Sequence, residues 1–166
     1  MDTEKNRPIK RSEYIKVLSH DHHTGLLFCW KIKEGLRKNV PVEKILRYIN
    51  FFWNGHLKEH FREEEVLLFN RLDDELSRQA RSEHLMIEKD ILCLNNQEHQ
   101  TASMYLAFAE LLTKHIRFEE RTLFPHLEAT LSQVVLKQVG DYLSAEHAAT
   151  FTDNYPDEFW SKSYTS

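Results

Sequence analysis

Two short segments of the chain each place a glutamate four residues after a histidine. They read His60-Phe61-Arg62-Glu63-Glu64-Glu65 and His115-Ile116-Arg117-Phe118-Glu119-Glu120, and both run on into a Leu-Phe pair. Residues four apart lie on one face of a helix, about 6 Å from each other, so each segment directs an imidazole and a carboxylate the same way. Imidazole nitrogen and carboxylate oxygen together favour iron, manganese or zinc. The repeated spacing therefore predicts a metal site.

Two further histidines strengthen this prediction. His22, His60, His84 and His115 each fall on the apolar face of a different predicted helix, near its middle. A buried carboxylate is costly unless it is paired, so Glu64 and Glu119 should face a partner such as a metal ion. These donors outnumber the four that one tetrahedral zinc needs, which favours two ions, with iron as the leading choice and zinc or manganese as alternatives. The predicted metal ligands are His22, His60, Glu64, His84, His115 and Glu119.

Other residues are less certain ligands or neighbours of ligands. His23 is an alternative to His22, since the two point about 100° apart on a helix; His22 is favoured because Gly25 and Cys29 share its face and leave room for an ion. His56 lies one turn before His60 and is a further ligand, a hydrogen-bond partner of a ligand, or a half-buried residue that caps the site; we expect the second of these. The further candidates are Glu88 and Glu120.

Several acidic and histidine residues beside these motifs are expected at the surface. Glu63, Glu65 and Glu120 read mainly as the solvated flank of their helices, with hydrogen bonding to a ligand as the second interpretation. Glu146-His147 repeats the dipeptide Glu83-His84, but no acidic residue four positions later supports a metal role.

The apolar spacing predicts four helices that would carry these residues. They cover residues 12–37, the stretch from Pro41 to Asn70, the stretch after Leu72-Asp73-Asp74 up to Asn95-Asn96, and a last stretch from Thr101 or Ser103 that Pro125 ends or kinks. Short connections predict an all-α, up-down-up-down antiparallel four-helix bundle over residues 1–130, with a solvated arm at 1–11. Residues 131–166 should add a helical and aromatic extension that covers the same domain.

The overall composition restricts the possible partners. The 166 residues carry four glycines and four prolines, as expected of a mostly helical chain, and a formal net charge of −4, which does not favour nucleic acid or an anionic membrane as a partner. No run of 18 uncharged apolar residues predicts a transmembrane helix. The basic cluster near the start lacks the apolar region of a signal peptide, and the two cysteines form no C-x-x-C pair. We therefore expect a cytoplasmic protein.

Asp21-His22-His23, His60-x-x-x-Glu64, Glu83-His84 and His115-x-x-x-Glu119 together resemble the hemerythrin-like family, the HHE cation-binding four-helix bundles. The resemblance covers residues 12 to 130. It implies two irons bridged by the two glutamates and by an oxo or hydroxo group, with the histidines as terminal ligands. It also implies an open position for dioxygen, nitric oxide or a similar small ligand.

The sequence departs from the oxygen carriers of that family at two places. Those proteins have a second histidine one turn along the third helix, where this chain has Glu88, and a five-residue step from His to Asp, where Glu119 stands four residues after His115. A site richer in carboxylate resembles the iron-sensing and iron-repair branches more. We expect a metal-binding protein for sensing, storage or repair rather than a dedicated catalyst. The alternative is a structural bundle with a polar core or one zinc, acting as a regulatory or interaction module.

Overall fold

A computed structural model describes residues 10–96, 98–147 and 151–162 of the chain. In this part of the chain the secondary structure consists of helices, turns and irregular segments, without a strand. The helices are α1, Lys16–Arg37; α2, made of Val42–Phe52, Trp53–Leu57 and Lys58–Leu67; α3, Glu75–Asn96; α4, made of Ala102–Phe118, Glu119–Leu123 and Phe124–Thr130; and α5, Gln133–Glu146. A single 3₁₀ turn, Phe69–Arg71, follows α2.

The connection between α1 and α2 is short because α1 ends in a closed turn. Asn39 has a positive φ of 57°, a left-handed conformation that asparagine tolerates better than most residues. Its N–H donates to Leu36 O, and the N–H of Val40 donates to Gly35 O, so the last carbonyls of the helix are satisfied. Pro41 then precedes the first turn of α2.

Both α2 and α4 contain one turn of π-helix, which the sequence did not predict. The π turns are Trp53–Leu57 and Glu119–Leu123. A π turn inserts one extra residue into a helix and often lies at a functional site. In α4 it is followed by Pro125, which takes one of the first two positions of the last segment, where a missing N–H costs little. The helix therefore continues to Thr130, and Pro125 does not end it.

The apolar core is divided into two clusters. One, the tail cluster, contains Phe28, Phe52, Phe108 and the C-terminal Phe159. The other, the α5 cluster, is formed by residues from the start of α1 and α3, from the end of α2 and α4, and from α5, among them Leu18, Phe124, Leu136 and Leu143. Along α1 the order is Leu18, His22 and Phe28, all buried, so a polar layer lies between the two clusters.

The segments after residue 130 pack on the bundle. Gly140 of α5 touches Tyr14 so closely that an added Cβ would lie 3.1 Å from the Tyr14 Cα. Farther on, Asp153 accepts a hydrogen bond of 2.8 Å from Lys31 and another from Tyr48. Phe159 is fully buried against Gly35. The described part of the extension thus covers one side of the bundle, as an edge cover would.

The helical class that the sequence predicts is confirmed. α1 packs along α4 and against α2, and α3 packs against α2 and α4, as in a helical bundle. The up-down-up-down order stays a prediction. None of the described helices has both the length and the apolarity needed to cross a membrane.

The N-terminal arm differs in part from expectation. Residues 1–9 lie outside the described residues. Arg11, however, is not solvated: its guanidinium pairs with Glu128 and, at 3.1 Å, with Glu120, and it lies over the ring of Phe124. The prediction of a solvated arm is wrong for Arg11, because two carboxylates of α4 are within its reach.

Candidate metal centre

The four bundle helices bring six buried polar side chains together. All six are the residues that the sequence predicts as metal ligands, and each is at most 4% exposed. Helix α1 contributes one histidine and α3 another, whereas α2 and α4 each contribute a histidine and a glutamate. In chain order they are His22, His60, Glu64, His84, His115 and Glu119.

These side chains form two overlapping groups. In each, one ligand atom per residue lies within 4.8 Å of the others. The four-residue group consists of His22, His60, Glu64 and Glu119, and the three-residue group consists of His84, His115 and Glu119. Glu119 belongs to both, so one carboxylate links the two groups.

Each glutamate lies within reach of three imidazoles. Glu64 Oε1 is 2.8 Å from His60 Nε2 and 3.6 Å from His84 Nε2, and its Oε2 is 3.3 Å from His22 Nε2. The two oxygens therefore face different histidines.

Glu119 repeats this arrangement from the other side. Its Oε2 is 2.8 Å from His22 Nε2, and its Oε1 is 3.0 Å from His115 Nε2 and 3.4 Å from His84 Nε2. Two ligands of one ion, each about 2.1 Å from it, are about 3.0 Å apart at a right angle and about 3.4 Å apart at the tetrahedral angle. The observed separations span these values.

Most of the atoms that face the centre lack hydrogen bonds. Seven of them are buried and have no hydrogen-bond partner, because the short contacts among them are poorly aligned for hydrogen bonding: both carboxylate oxygens of Glu64 and of Glu119, and Nε2 of His22, His84 and His115. Buried polar atoms without partners are rare in proteins, and a bound ion is one of the few things that satisfies them. The donor set, imidazole nitrogen and carboxylate oxygen, fits iron, manganese or zinc.

A second layer of carboxylates orients the four histidines. In each imidazole the other nitrogen, Nδ1, lies 2.7–3.0 Å from a carboxylate oxygen and donates a hydrogen bond to it. The pairs are His60 with Asp21, His84 with Glu65, His115 with Glu83, and His22 with Glu120. An acceptor at Nδ1 fixes the tautomer and turns Nε2 toward the centre.

The four pairs follow a cyclic order around the bundle. Asp21 of α1 orients a histidine of α2, Glu65 of α2 one of α3, Glu83 of α3 one of α4, and Glu120 of α4 one of α1. Each of these carboxylates is the sequence neighbour of a predicted ligand on its own helix. Each helix therefore presents one or two side chains to the centre, and the carboxylate next to one of them holds the histidine of the next helix.

Sequence reasoning missed most of this second layer. Glu65 and Glu120 were expected mainly on the solvated flank, yet both accept hydrogen bonds from ligand histidines. Asp21 and Glu83 were noted only as parts of a motif. The available signal was their regular position, since each of the four predicted helices carries an acidic residue directly beside a candidate ligand.

The consecutive glutamates Glu119 and Glu120 serve both layers from the π turn of α4. Glu119 and Glu120 open the turn, and Glu119 is fully buried against the imidazoles. Glu120 turns toward α1, where it contacts His22, Ser19 and Arg11.

The carboxylates keep protons on the imidazoles when no metal is bound. Burial alone would lower the pKa of His22, but the surrounding Glu119, Glu120 and Glu64 raise it well above the ordinary value. Burial likewise opposes the charge on His60, and Glu64 and Asp21 overcome it and raise its pKa to about 9. The pKa values of His84 and His115 are raised for the same reason, with the carboxylates outweighing burial.

The two central glutamates are held as anions. Burial, and for Glu64 the charge of Glu119, would raise their pKa values, but the neighbouring histidines outweigh these effects and lower both. A metal ion entering the centre must therefore displace protons from the imidazoles.

The remaining sequence candidates lie outside the two groups. His23 and Glu88 are exposed, so the structure does not bring them to the centre. His56 is buried, and its Nε2 lies 3.9 Å from Oδ1 of Asp21. The other oxygen of Asp21, Oδ2, accepts a hydrogen bond from His60. Burial lowers the pKa of His56 to about 4, which keeps it neutral. His147, to which the sequence gave no metal role, reaches the same aspartate at 3.8 Å.

Comparison with known proteins agrees with the geometry. No curated protein and no solved structure matches the chain. The family model described as hemerythrin HHE cation binding domain matches residues 14–127, a range that includes all six central side chains. With more than half of its length matched, the chain belongs to the hemerythrin HHE cation-binding domain family.

Proposed function

We propose that this protein is a non-haem di-iron protein that binds two iron ions in the bundle core and takes up a small ligand such as dioxygen or nitric oxide. One observation carries the proposal: seven buried donor atoms, on all four bundle helices, face one another without hydrogen-bond partners. The role would be in sensing, storage or repair of iron or oxygen, in the cytoplasm.

The two groups divide the ligands between the ions. His22, His60 and Glu64 would hold one ion, His84 and His115 the other, and Glu119 would bridge them because it belongs to both groups. Bound iron would supply open coordination positions and a change of oxidation state. The three-residue group offers fewer protein donors, so its ion has more positions free for a small molecule.

The test is the metal content of protein produced in iron-supplemented medium. We expect about two irons per chain in the wild type and almost none in His60→Ala/His115→Ala, which removes one histidine from each group. His20→Ala/His23→Ala is the matched control, since it removes two exposed histidines of α1. The control should keep its iron, and it also tests His23 as a ligand.

Light absorption distinguishes a coupled iron pair from one zinc. Iron-loaded protein should absorb in the near ultraviolet and visible, and nitric oxide should change that spectrum. A colourless protein after iron loading contradicts the proposal. One tightly bound zinc, or no metal in any variant, would favour the structural bundle instead.

A sensing role is favoured by the position of the C-terminal tail. The ring of Phe151 stacks on His56, with centroids 4.7 Å apart, and His56 lies beside the second-layer Asp21. A change at the centre can therefore reach the tail through three contacts, from His60 to Asp21, from Asp21 to His56 and from His56 to Phe151. Limited proteolysis of the tail should differ between metal-loaded and metal-free protein, and equal cleavage would remove the sensing role.

A further inference from the structure

A surface cavity touches the centre at His60 and is lined by acidic residues. We call it the acidic pocket; its volume is about 120 Å³, and its lining residues are Asp21, Gly55, His56, Glu59, His60, Glu63, His147 and Phe151. Three carboxylates and three imidazoles line it, and none of these residues is a lysine or arginine. The family match ends at residue 127, so His147 and Phe151 lie outside it.

The carboxylates and imidazoles of the acidic pocket hold one another in place. His147 donates from Nδ1 to Glu63 at 2.9 Å, and its Nε2 lies 3.8 Å from Asp21 Oδ1. His56 faces the same oxygen at 3.9 Å and is 8% exposed, and its imidazole forms no hydrogen bond with any residue that the structure describes. Glu59 stands at the mouth, 57% exposed, and pairs with Arg62.

The spacing of these donors suits a passing ion better than a resident one. Among the described residues, groups of three or more donors within 4.8 Å of one another occur at the centre, and the donors of the acidic pocket do not form such a group. An ion there would contact two or three of them at a time and keep part of its water. The pocket is thus built to attract a cation without closing around it.

A single side chain, that of His60, separates the acidic pocket from the centre. Asp21 Oδ2 accepts from His60 Nδ1 at 3.0 Å, and His60 Nε2 lies 2.8 Å from Glu64 Oε1. A rotation of His60 would connect the pocket with the buried carboxylate.

A second cavity provides the contrast. The mixed pocket, which also touches the centre, is lined by Trp53, Lys58, Phe61, Arg62, Glu65, His84, Leu85 and Glu88. Two cationic and two acidic side chains line it, although one of the cations, Arg62, also pairs with Glu59 at the mouth of the acidic pocket. A cavity lined by negative charges attracts a divalent cation, whereas a cavity in which positive and negative charges balance does not.

We propose that the acidic pocket is the entrance through which divalent cations load the centre, with Glu63, Asp21, His56 and His147 as transient ligands. The inference rests on the proposed function, because it requires that the centre holds metal. It assigns Glu63 and His147 a role in the rate of loading and none in the final metal content.

The experiment measures ferrous iron uptake without oxygen. Metal-free protein is mixed with Fe²⁺, and iron still free at each time is trapped with a coloured chelator. Glu63→Gln/His147→Ala should load about tenfold more slowly than wild type, within the range that electrostatic focusing gives to association rates, and reach the same final iron content. Glu88→Gln/His126→Ala, which removes one carboxylate from the mixed pocket and one histidine from another surface, should load at the wild-type rate.

A second variant guards against loss of folding. Glu59→Lys changes a residue that is 57% exposed, so it leaves the core intact while reversing the charge at the mouth. It should slow uptake too, and higher salt should reduce the difference from wild type.

Each outcome decides between the two proposals. If wild type binds no iron, the proposed function fails and the entrance fails with it. If wild type loads iron and the acidic-pocket variants load equally fast, the entrance is overturned and the proposed function stands. If these variants end with less iron than the control, the pocket residues are resident ligands and the entrance is again overturned.

Discussion

The four-residue group and the three-residue group share one glutamate but have different surroundings. The first borders the acidic pocket at His60, and the second borders the mixed pocket at His84, against which Phe61 stacks with ring centroids 3.8 Å apart. The first therefore combines more protein donors with an approach suited to cations. The second combines fewer donors with an aromatic wall. Under the two proposals, this difference would separate the loading of ions from the binding of a small ligand between the two halves of the centre.

The largest expected effect comes from the shared residue. Glu119→Gln removes a ligand from both groups, whereas Glu64→Gln removes one from the four-residue group alone. Elemental analysis should find almost no iron in the first variant and about one ion per chain in the second. Glu88→Gln, exposed on α3, is the control and should keep about two. Equal iron loss in the two glutamate variants would contradict the bridging position of Glu119.

The histidine of each repeated segment gives the next comparison. His115→Ala leaves the three-residue group with two donors, while His60→Ala leaves the four-residue group with three. Competition with a chelator should show a greater loss of affinity for His115→Ala, more than about 100-fold, above the range expected for second-layer residues. A greater loss for His60→Ala would show that donor number does not set the affinity.

Second-layer residues at equivalent positions should have smaller and unequal effects. Glu120 accepts hydrogen bonds from His22 and Ser19 and pairs with Arg11, and its side chain is 23% exposed. Glu65 accepts a hydrogen bond from His84, and its side chain is 35% exposed. Glu120→Gln should lower iron affinity about 10- to 100-fold, and Glu65→Gln less. The chelator competition measures both losses of affinity. The reverse order would show that burial of the second-layer carboxylate does not determine the size of the loss.

The smallest effect is expected in the pH dependence of the metal-free protein. His60 has a folded-state pKa of about 9, raised above its ordinary value by Glu64 and Asp21 against the effect of burial. Its stabilising contribution is complete below about 6.5, the unfolded-state pKa, and is lost as the pH rises through 9. Urea unfolding of chelator-treated protein should therefore give a falling free energy of unfolding between pH 6.5 and 9. His60→Gln should weaken this fall, and iron-loaded protein, whose imidazoles carry no extra proton, should not show it.

The helices were predictable because their signals are local. The apolar spacing around His22, His60, His84 and His115 placed four helices within a few residues of their observed ends; α1 begins at Lys16 and not at residue 12. The π turns were not predictable, because no residue type or spacing marks where a helix accepts an extra residue. Continuation of α4 past Pro125 depends on the π turn before it.

The sequence alone determined which side chains point the same way along one helix. A spacing of four residues puts His60 with Glu64 and His115 with Glu119 whatever surrounds them, since the helix repeats every 3.6 residues. That local geometry was sufficient to predict these four residues as a group, and the apolar faces of the other two helices added His22 and His84.

The tertiary structure decided which helix each second-layer carboxylate serves. Glu120 orients His22, 98 residues away in the chain, and Glu63 meets His147, 84 residues away. Such pairs depend on the packing, rotation and height of whole helices, which are set by the two apolar clusters on either side of the centre. A local sequence pattern carries no information about those variables, so the cyclic order of carboxylates and the acidic pocket became visible only in the folded chain.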